Sequence, residues 1–258
     1  MSIIFTEDNV KYTLESIYPI SMSEVDRQQV LKPAVLLNYL QDLAAKSIDK
    51  LGHQYSWDEL CKKGLGWFLI RYRLEFDNYP VGVDKIKIQT ENRGVQKLTA
   101  YRDFEGFNPY NNERLFRAVT SWFIVNLENK SVVNLSQDYP EFIKFDKRED
   151  DLQLRKLKPI DEVDSEKIFH VRYDDLDFNG HVNNTVYVTW AMEALDYDFR
   201  ASHNLKALDI YFKHEVRYGE DIVSSVKIDK ANLVTEHLIK NANTGDEVCL
   251  IRAEFVNK

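Results

Sequence analysis

The same string of elements occurs twice along this chain of 258 residues, and a repeat of that kind leaves few architectures open. In the first copy Pro33 opens a helix. Its Leu36, Leu40, Leu43, Ala44, Ser47, Ile48 and Leu51 share one broad face that ends at Gly52. In the second copy a stripe of Val186, Trp190, Ala194 and Tyr197 follows Asn183 and Asn184. A long alternating strand succeeds each helix. Phe68, Ile70, Tyr72, Leu74 and Phe76 alternate with Arg71, Arg73 and Glu75. Leu208, Ile210, Phe212 and Val216 repeat that phase against Asp209, Lys213, Glu215 and Arg217. Three further strands are expected in each half, near 84–92, 95–105 and 114–127, then near 221–229, 232–240 and 247–256. The turn formers Asn108-Pro109-Tyr110-Asn111-Asn112 and Asn243-Thr244-Gly245 separate two of these pairs. A helix followed by antiparallel strands, twice, predicts an α+β chain in which each half wraps a curved sheet about a helix. The expected boundaries are a first unit at 1–143, a charge-dense solvated linker at 144–165 and a second unit at 166–258.

The densest chemistry lies in residues 174–190, DDLDFNGHVNNTVYVTW. Asp177, Asn179 and His181 place a carboxylate, an amide and an imidazole within five residues, running into Val182, Asn183 and Asn184 at a helix start. Such a start offers unpaired backbone N–H groups and a positive dipole end, suited to an oxygen that gains negative charge. An acid or base beside an oxyanion site is what acyl transfer requires. Taken singly, Asn183 or Asn184 could equally be a helix cap.

Composition removes several classes of function. Apolar residues make up 44% and charged residues 29%, the balance of a globular protein with material for a core. No apolar run approaches the roughly 20 residues of a membrane span, so no membrane partner is expected. The start, MSIIFTEDNVKY, lacks a basic segment followed by an apolar one, and is not Arg- and Ser-rich like a transit peptide. Cys61 and Cys249 are too far apart in sequence to make a disulfide framework or a zinc set, and a reducing cytoplasm is the expected location. A net charge of −8 argues against nucleic acid as a partner. Gly64-x-Gly66 is no phosphate loop, because Leu69 stands where a third glycine is needed. His214-Glu215 begins like a zinc-protease helix, but position 218 is Tyr. His214 shares the apolar phase and reads as a hydrogen-bonded core histidine. No metal and no cofactor are expected.

Leu176-Asp177-Phe178-Asn179-Gly180-His181-Val182-Asn183-Asn184, with Tyr187 and Trp190, resembles the signature of the acyl-acyl-carrier-protein (acyl-ACP) thioesterases of bacterial type. The resemblance extends over nearly the whole chain. Asp26-Arg27 and then Leu36-Leu37-Asn38-Tyr39-Leu40-Gln41-Asp42 resemble the family's first helix region. Gly66-Trp67 through Tyr79-Pro80, and Thr120-Ser121-Trp122, resemble its first-half strands. The resemblance implies a double hotdog fold and hydrolysis of fatty acyl-ACP thioesters to free fatty acid and ACP. It implies acyl carrier protein and a fatty acyl thioester as partners, and a homodimer is left open. It also implies that Asp177, Asn179 and His181 are the family's catalytic triplet and that its strand-borne acid falls on Glu215. Val182, Asn183 and Asn184 would supply the oxyanion site. Many relatives carry cysteine directly after that acid; here Val216 stands there, which excludes a Cys-His scheme at this position. Cys249 reads as a small core residue. Two rivals share the fold: an acyl-CoA thioesterase or hydratase-type enzyme, and a non-catalytic lipid-binding protein. Because the chain is acidic, docking an acidic carrier calls for a basic patch, expected at Arg71, Arg73, Lys206, Lys213 and Arg217.

Overall fold

A computed structural model of the chain describes residues 3–4, 13–51, 53–82, 84–140 and 142–258. Gly52, expected to end the first helix, lies outside them. Two compact units emerge: Met1–Lys32, Leu36–Tyr72 and Asp77–Leu154 form the first, and Pro33–Val35, Arg73–Phe76 and Arg155–Lys258 the second.

The first unit's elements begin with β1 (Ile3–Ile4), β2 (Thr13–Pro19), α1 (Pro33–Leu51), α2 (Trp57–Lys62) and β3 (Leu65–Phe76). They continue with β4 (Lys85–Gln96), β5 (Thr99–Phe107), β6 (Arg114–Asn126) and the single turn α3 (Leu135–Asp138). Its strands run in the order β1-β2-β4-β5-β6-β3. Leu36, Leu37, Leu40, Leu43 and Ala44 of α1 are buried, and Ile86, Ile88, Phe104 and Phe116 of the sheet are buried too. Each of these leucine, isoleucine and phenylalanine side chains contributes about 1.5–3 kcal/mol by leaving water. Ser47 sits on the apolar face of α1 for a specific reason. Its Oγ and that of Thr90 accept hydrogen bonds from Arg102 Nη1 at 3.0 and 3.1 Å. Burial pulls this guanidinium down to about 10.

The structure shifts one expected boundary. Strands near 84–92 and 95–105 were divided at Arg93-Gly94, yet β4 runs through to Gln96. Gly94, at φ +88, absorbs a register shift between Asn92 and Gly94 instead of making a turn. A Cβ there would lie 2.3 Å from the Ile143 carbonyl oxygen. Only glycine lets residues 143–145 cross so close, where Val95 N–H donates to Ile143 O (2.7 Å) and Phe145 N–H to Val95 O (2.9 Å).

Residues 144–165 are not uniformly solvated. Arg148 forks onto Glu91 at 2.9 and 2.6 Å, and Arg93 binds Asp151 and the Asp146 carbonyl, both at 2.7 Å. The alternating charges that read as a linker are matched by charges on β4 and β5. Strand β2 was not foreseen because Ile17, out of phase with Leu14 and Tyr18, is 54% exposed.

The second unit contains β7 (Ser165–His170), α4 (Asn184–Glu193), α5 (Tyr197–Ser202), β8 (His203–Phe212), β9 (Asp221–Asp229), β10 (Val234–Asn241) and β11 (Glu247–Asn257). Its strand order is β8-β11-β10-β9-β7, and every adjacent pair is antiparallel. Tyr187, Val188, Trp190 and Ala191 of α4 are buried. Ser224 Oγ on β9 donates to the Trp190 carbonyl at 3.1 Å.

Tyr197 does not continue the α4 stripe. Ala194 caps α4, Asp196 caps α5 by accepting from Phe199 N–H at 2.7 Å, and Tyr197 is exposed while Phe199 is buried. The charged phase of the long strands also departs from expectation. Arg73 and Asp209 are both buried and meet at 2.5 Å, with Glu75 2.6 Å from Arg73 and Arg155 3.5 Å from Asp209. Mutual neutralisation permits what the alternation alone assigned to solvent. Each unit is a helix packed on an antiparallel sheet, so the chain is a double hotdog of α+β class.

Candidate active site

The signature segment forms a tight loop closed by its own polar groups. Asp177 N–H donates to the His181 carbonyl at 2.7 Å, and Gly180 N–H to the Asp177 carbonyl at 3.0 Å. Gly180 takes φ +75, the left-handed conformation that side chains resist. Asp177 Oδ1 accepts from the backbone N–H groups of Asn179 (2.8 Å) and His181 (3.3 Å), and its Oδ2 accepts from Asn179 Nδ2 (3.3 Å). Asp177 therefore shapes the loop that presents Asn179 and His181.

Beneath the loop, Asp175 is buried and accepts from Arg172 N–H (2.9 Å) and Nη2 (2.6 Å), while its carbonyl receives Asn183 N–H (2.9 Å). Sequence reasoning passed over Asp175. The one available signal was its spacing of three from Arg172, and an arginine is not a residue that announces a capped turn.

Glu215 reaches the site by a route the alternation did not foresee. It was expected on the strand, but β8 stops at Phe212, where the N–H groups of Lys213 and His214 turn to the Val248 carbonyl. Glu215 then lies on a loop, and His214 is exposed instead of buried in the core. Val216 re-anchors the chain: it is fully buried, and its carbonyl accepts from Val182 N–H at 2.9 Å. A backbone bridge pairs His181 with Arg217. This short pairing brings Glu215 Oε1 to 3.4 Å from His181 Nδ1, with both side chains partly exposed.

The helix start is more committed than its sequence indicated. Asn183 caps α4, its Oδ1 accepting from Thr185 N–H and Oγ1, both at 3.0 Å. Val182 N–H is directed to Val216 and Asn183 N–H to Asp175, so two of the three residues expected to receive an oxyanion spend those donors inside the loop. Behind the loop, Tyr187 is buried. Burial first, helped by the carboxylates of Glu215 and Asp177, holds its phenol well above the usual range, so it stays protonated.

The basic patch does not assemble as expected. Arg73 is buried in ion pairs, Lys206 Nζ donates to the Phe76 carbonyl at 2.6 Å, and Lys213 pairs with Glu247 at 2.5 Å. Cys249 is buried, as a small core residue should be. Among the described residues, no three His, Cys, Asp or Glu side chains are grouped to hold a metal ion.

Comparison with known proteins places the chain in a family. The acyl-ACP thioesterase N-terminal domain matches residues 11–143, and the acyl-ACP thioesterase C-terminal domain matches residues 158–257. The chain is similar to a chloroplastic palmitoyl-acyl carrier protein thioesterase of Gossypium hirsutum. The two are 26% identical over 243 residues, covering 90% of this chain but 58% of that relative's length. Among solved structures, an acyl-ACP thioesterase from Bacteroides thetaiotaomicron superposes with a TM-score of 0.81 at 19% identity, covering 95% of this chain and 98% of the other. The 12:0-ACP thioesterase from Umbellularia californica gives 0.82 at 22% identity, with 95% and 98% covered. At such identities the superpositions speak for the fold alone. The two domain matches together take in both units and the whole Asp177–His181 loop with Glu215, and on them the chain belongs to the acyl-ACP thioesterase family.

Proposed function

We propose that the chain hydrolyses fatty acyl thioesters carried on acyl carrier protein, releasing free fatty acid and the carrier thiol. The observation that carries this reading is the His181–Glu215 pair, 3.4 Å apart, with His181 on the loop fixed by Asp177. Glu215 and His181 draw a proton from a water as its oxygen bonds to the thioester carbonyl carbon. The carbonyl oxygen takes up the negative charge. It is met by the positive end of α4 and by the second hydrogen of Asn179 Nδ2, whose first is directed to Asp177. When the carbonyl re-forms, the C–S bond breaks, and the proton held by the pair passes to the leaving sulfur. Both oxygens of Asp177 already accept hydrogen bonds, which makes the carboxylate a poor nucleophile. That supports direct attack by water over an Asp177 anhydride. The intact pair also favours an enzyme over a lipid-binding protein.

The test is release of fatty acid by the purified chain from acyl-ACP and acyl-CoA of matched chain length. Faster hydrolysis of acyl-ACP is expected. A preference for acyl-CoA would transfer the chain to the rival carrier, and no hydrolysis of either would overturn the reading.

A further inference from the structure

The first unit carries a loop built like the signature loop of the second, bond for bond. Asp26 N–H donates to the Val30 carbonyl at 2.8 Å and Gln29 N–H to the Asp26 carbonyl at 3.0 Å. Their counterparts are Asp177 to His181 at 2.7 Å and Gly180 to Asp177 at 3.0 Å. Asp26 Oδ1 accepts from the N–H groups of Gln28 (2.8 Å) and Val30 (3.0 Å), as Asp177 Oδ1 does from those of Asn179 and His181. Gln29 takes φ +61 where Gly180 takes φ +75. A one-turn helix, Met22–Glu24, precedes the loop as Tyr173–Asp175 precedes the other. Lys32 N–H reaches the Glu24 carbonyl at 3.0 Å, as Asn183 N–H reaches that of Asp175 at 2.9 Å. Leu31 N–H donates to the Pro80 carbonyl at 3.2 Å, as Val182 N–H does to that of Val216 at 2.9 Å, and Val30 bridges Val81 as His181 bridges Arg217.

Matched through these bonds, the two loops agree in frame and differ in chemistry. Buried Val30 stands at the place of His181, Gln28 at that of Asn179, and Tyr79, directly before Pro80, at that of Glu215. A glutamine in the left-handed region is strained, and such strain persists only where surrounding bonds over-determine the backbone. The aspartate holds the same two N–H groups in a loop with no imidazole, so the frame does not depend on the groups that move protons.

Resting on the activity proposed above, we infer that residues 21–32 with 79–81 are a vacated second copy of the catalytic loop. Its frame is complete and idle in the present reaction, and it hydrolyses thioesters once an imidazole and a carboxylate are restored to it. The step is the one described for the second unit: a water oxygen bonds to the carbonyl carbon, the C–S bond breaks, and the water's proton passes through the restored pair to the leaving sulfur.

The test restores the groups as Gln28→Asn/Val30→His/Tyr79→Glu in a His181→Ala chain, with an acyl-N-acetylcysteamine thioester as substrate. Hydrolysis roughly tenfold or more above the His181→Ala parent is expected, and a rate equal to the parent overturns the inference. Titration followed by NMR reads the geometry apart from turnover. The imidazole at position 30 should titrate at higher pH than in the same chain keeping Tyr79, because a neighbouring carboxylate favours its charged form. Equal midpoints overturn the inference as well. Asp26→Ala in the otherwise native chain needs no restored group. Faster amide exchange at Gln28 and Val30 is expected, with kcat on acyl-ACP unchanged. Unaltered exchange would mean that Asp26 does not hold the frame, and a marked loss of kcat with Tm held would give the first loop a part in the reaction; either result overturns the inference. Wild type inactive on every thioester would sink the proposed activity instead, while exchange and titration would still read the frame.

Discussion

At the scale of single residues, the proposed reaction divides the labour of the site between shape and proton traffic. Asp177 shapes, since its two oxygens are occupied by the loop, while His181 and Glu215 face each other with part of their surface open. His181→Ala and Glu215→Gln are expected to lose kcat by about 100-fold or more with Tm held, because neither side chain supports the core. Asp177→Ala should lose activity and also loosen the loop, seen as faster amide exchange at Asn179 and His181. If Glu215→Gln turned over normally, the proton role would pass to His181 alone. The triplet was legible from residue types and spacing. The 3.4 Å approach of Glu215 was not, because it depends on Val182 pairing with Val216 across a break in the strand.

At the scale of elements, β10 carries a polar pair in a buried place. His237 Nε2 meets Thr235 Oγ1 at 2.8 Å, and Nδ1 is buried without a hydrogen-bond partner. Burial pushes His237 from 6.5 down to about 3, so the folded chain holds it neutral. Its contribution to stability is complete above 6.5 and is lost as pH falls from there toward about 3, where only the unfolded chain takes up the proton. Thermal melts across that window should show this acid loss in wild type. A Thr235→Val/His237→Leu variant, which removes both partners together, should show a flatter profile, and an unchanged profile would assign the loss elsewhere. The helices and most strands were legible because period and phase are local. What escaped was what partners decide: Gly94 turning a boundary into a bulge, Arg73 and Asp209 burying each other's charge, and Arg148 and Asp151 finding Glu91 and Arg93.

At the scale of the whole molecule, a net charge of −8 opposes docking of the acidic carrier proposed as partner, and Arg73, Lys206 and Lys213, among the candidate steering cations, are engaged within the chain. Added salt should therefore leave or modestly raise kcat/KM for acyl-ACP in stopped-flow assays, whereas a steep fall would reveal attraction by a basic surface elsewhere. Val216, which cannot act as a nucleophile, directly follows Glu215 in the sequence. Burial, then Asp58, raises the Cys61 thiol, and burial alone raises Cys249 far above its ordinary range. Peroxide and disulfide stress act on thiolates, which this chain does not form readily. The proposed thioesterase activity should therefore survive peroxide treatment of the purified chain, and its loss would give a thiol a part in the reaction.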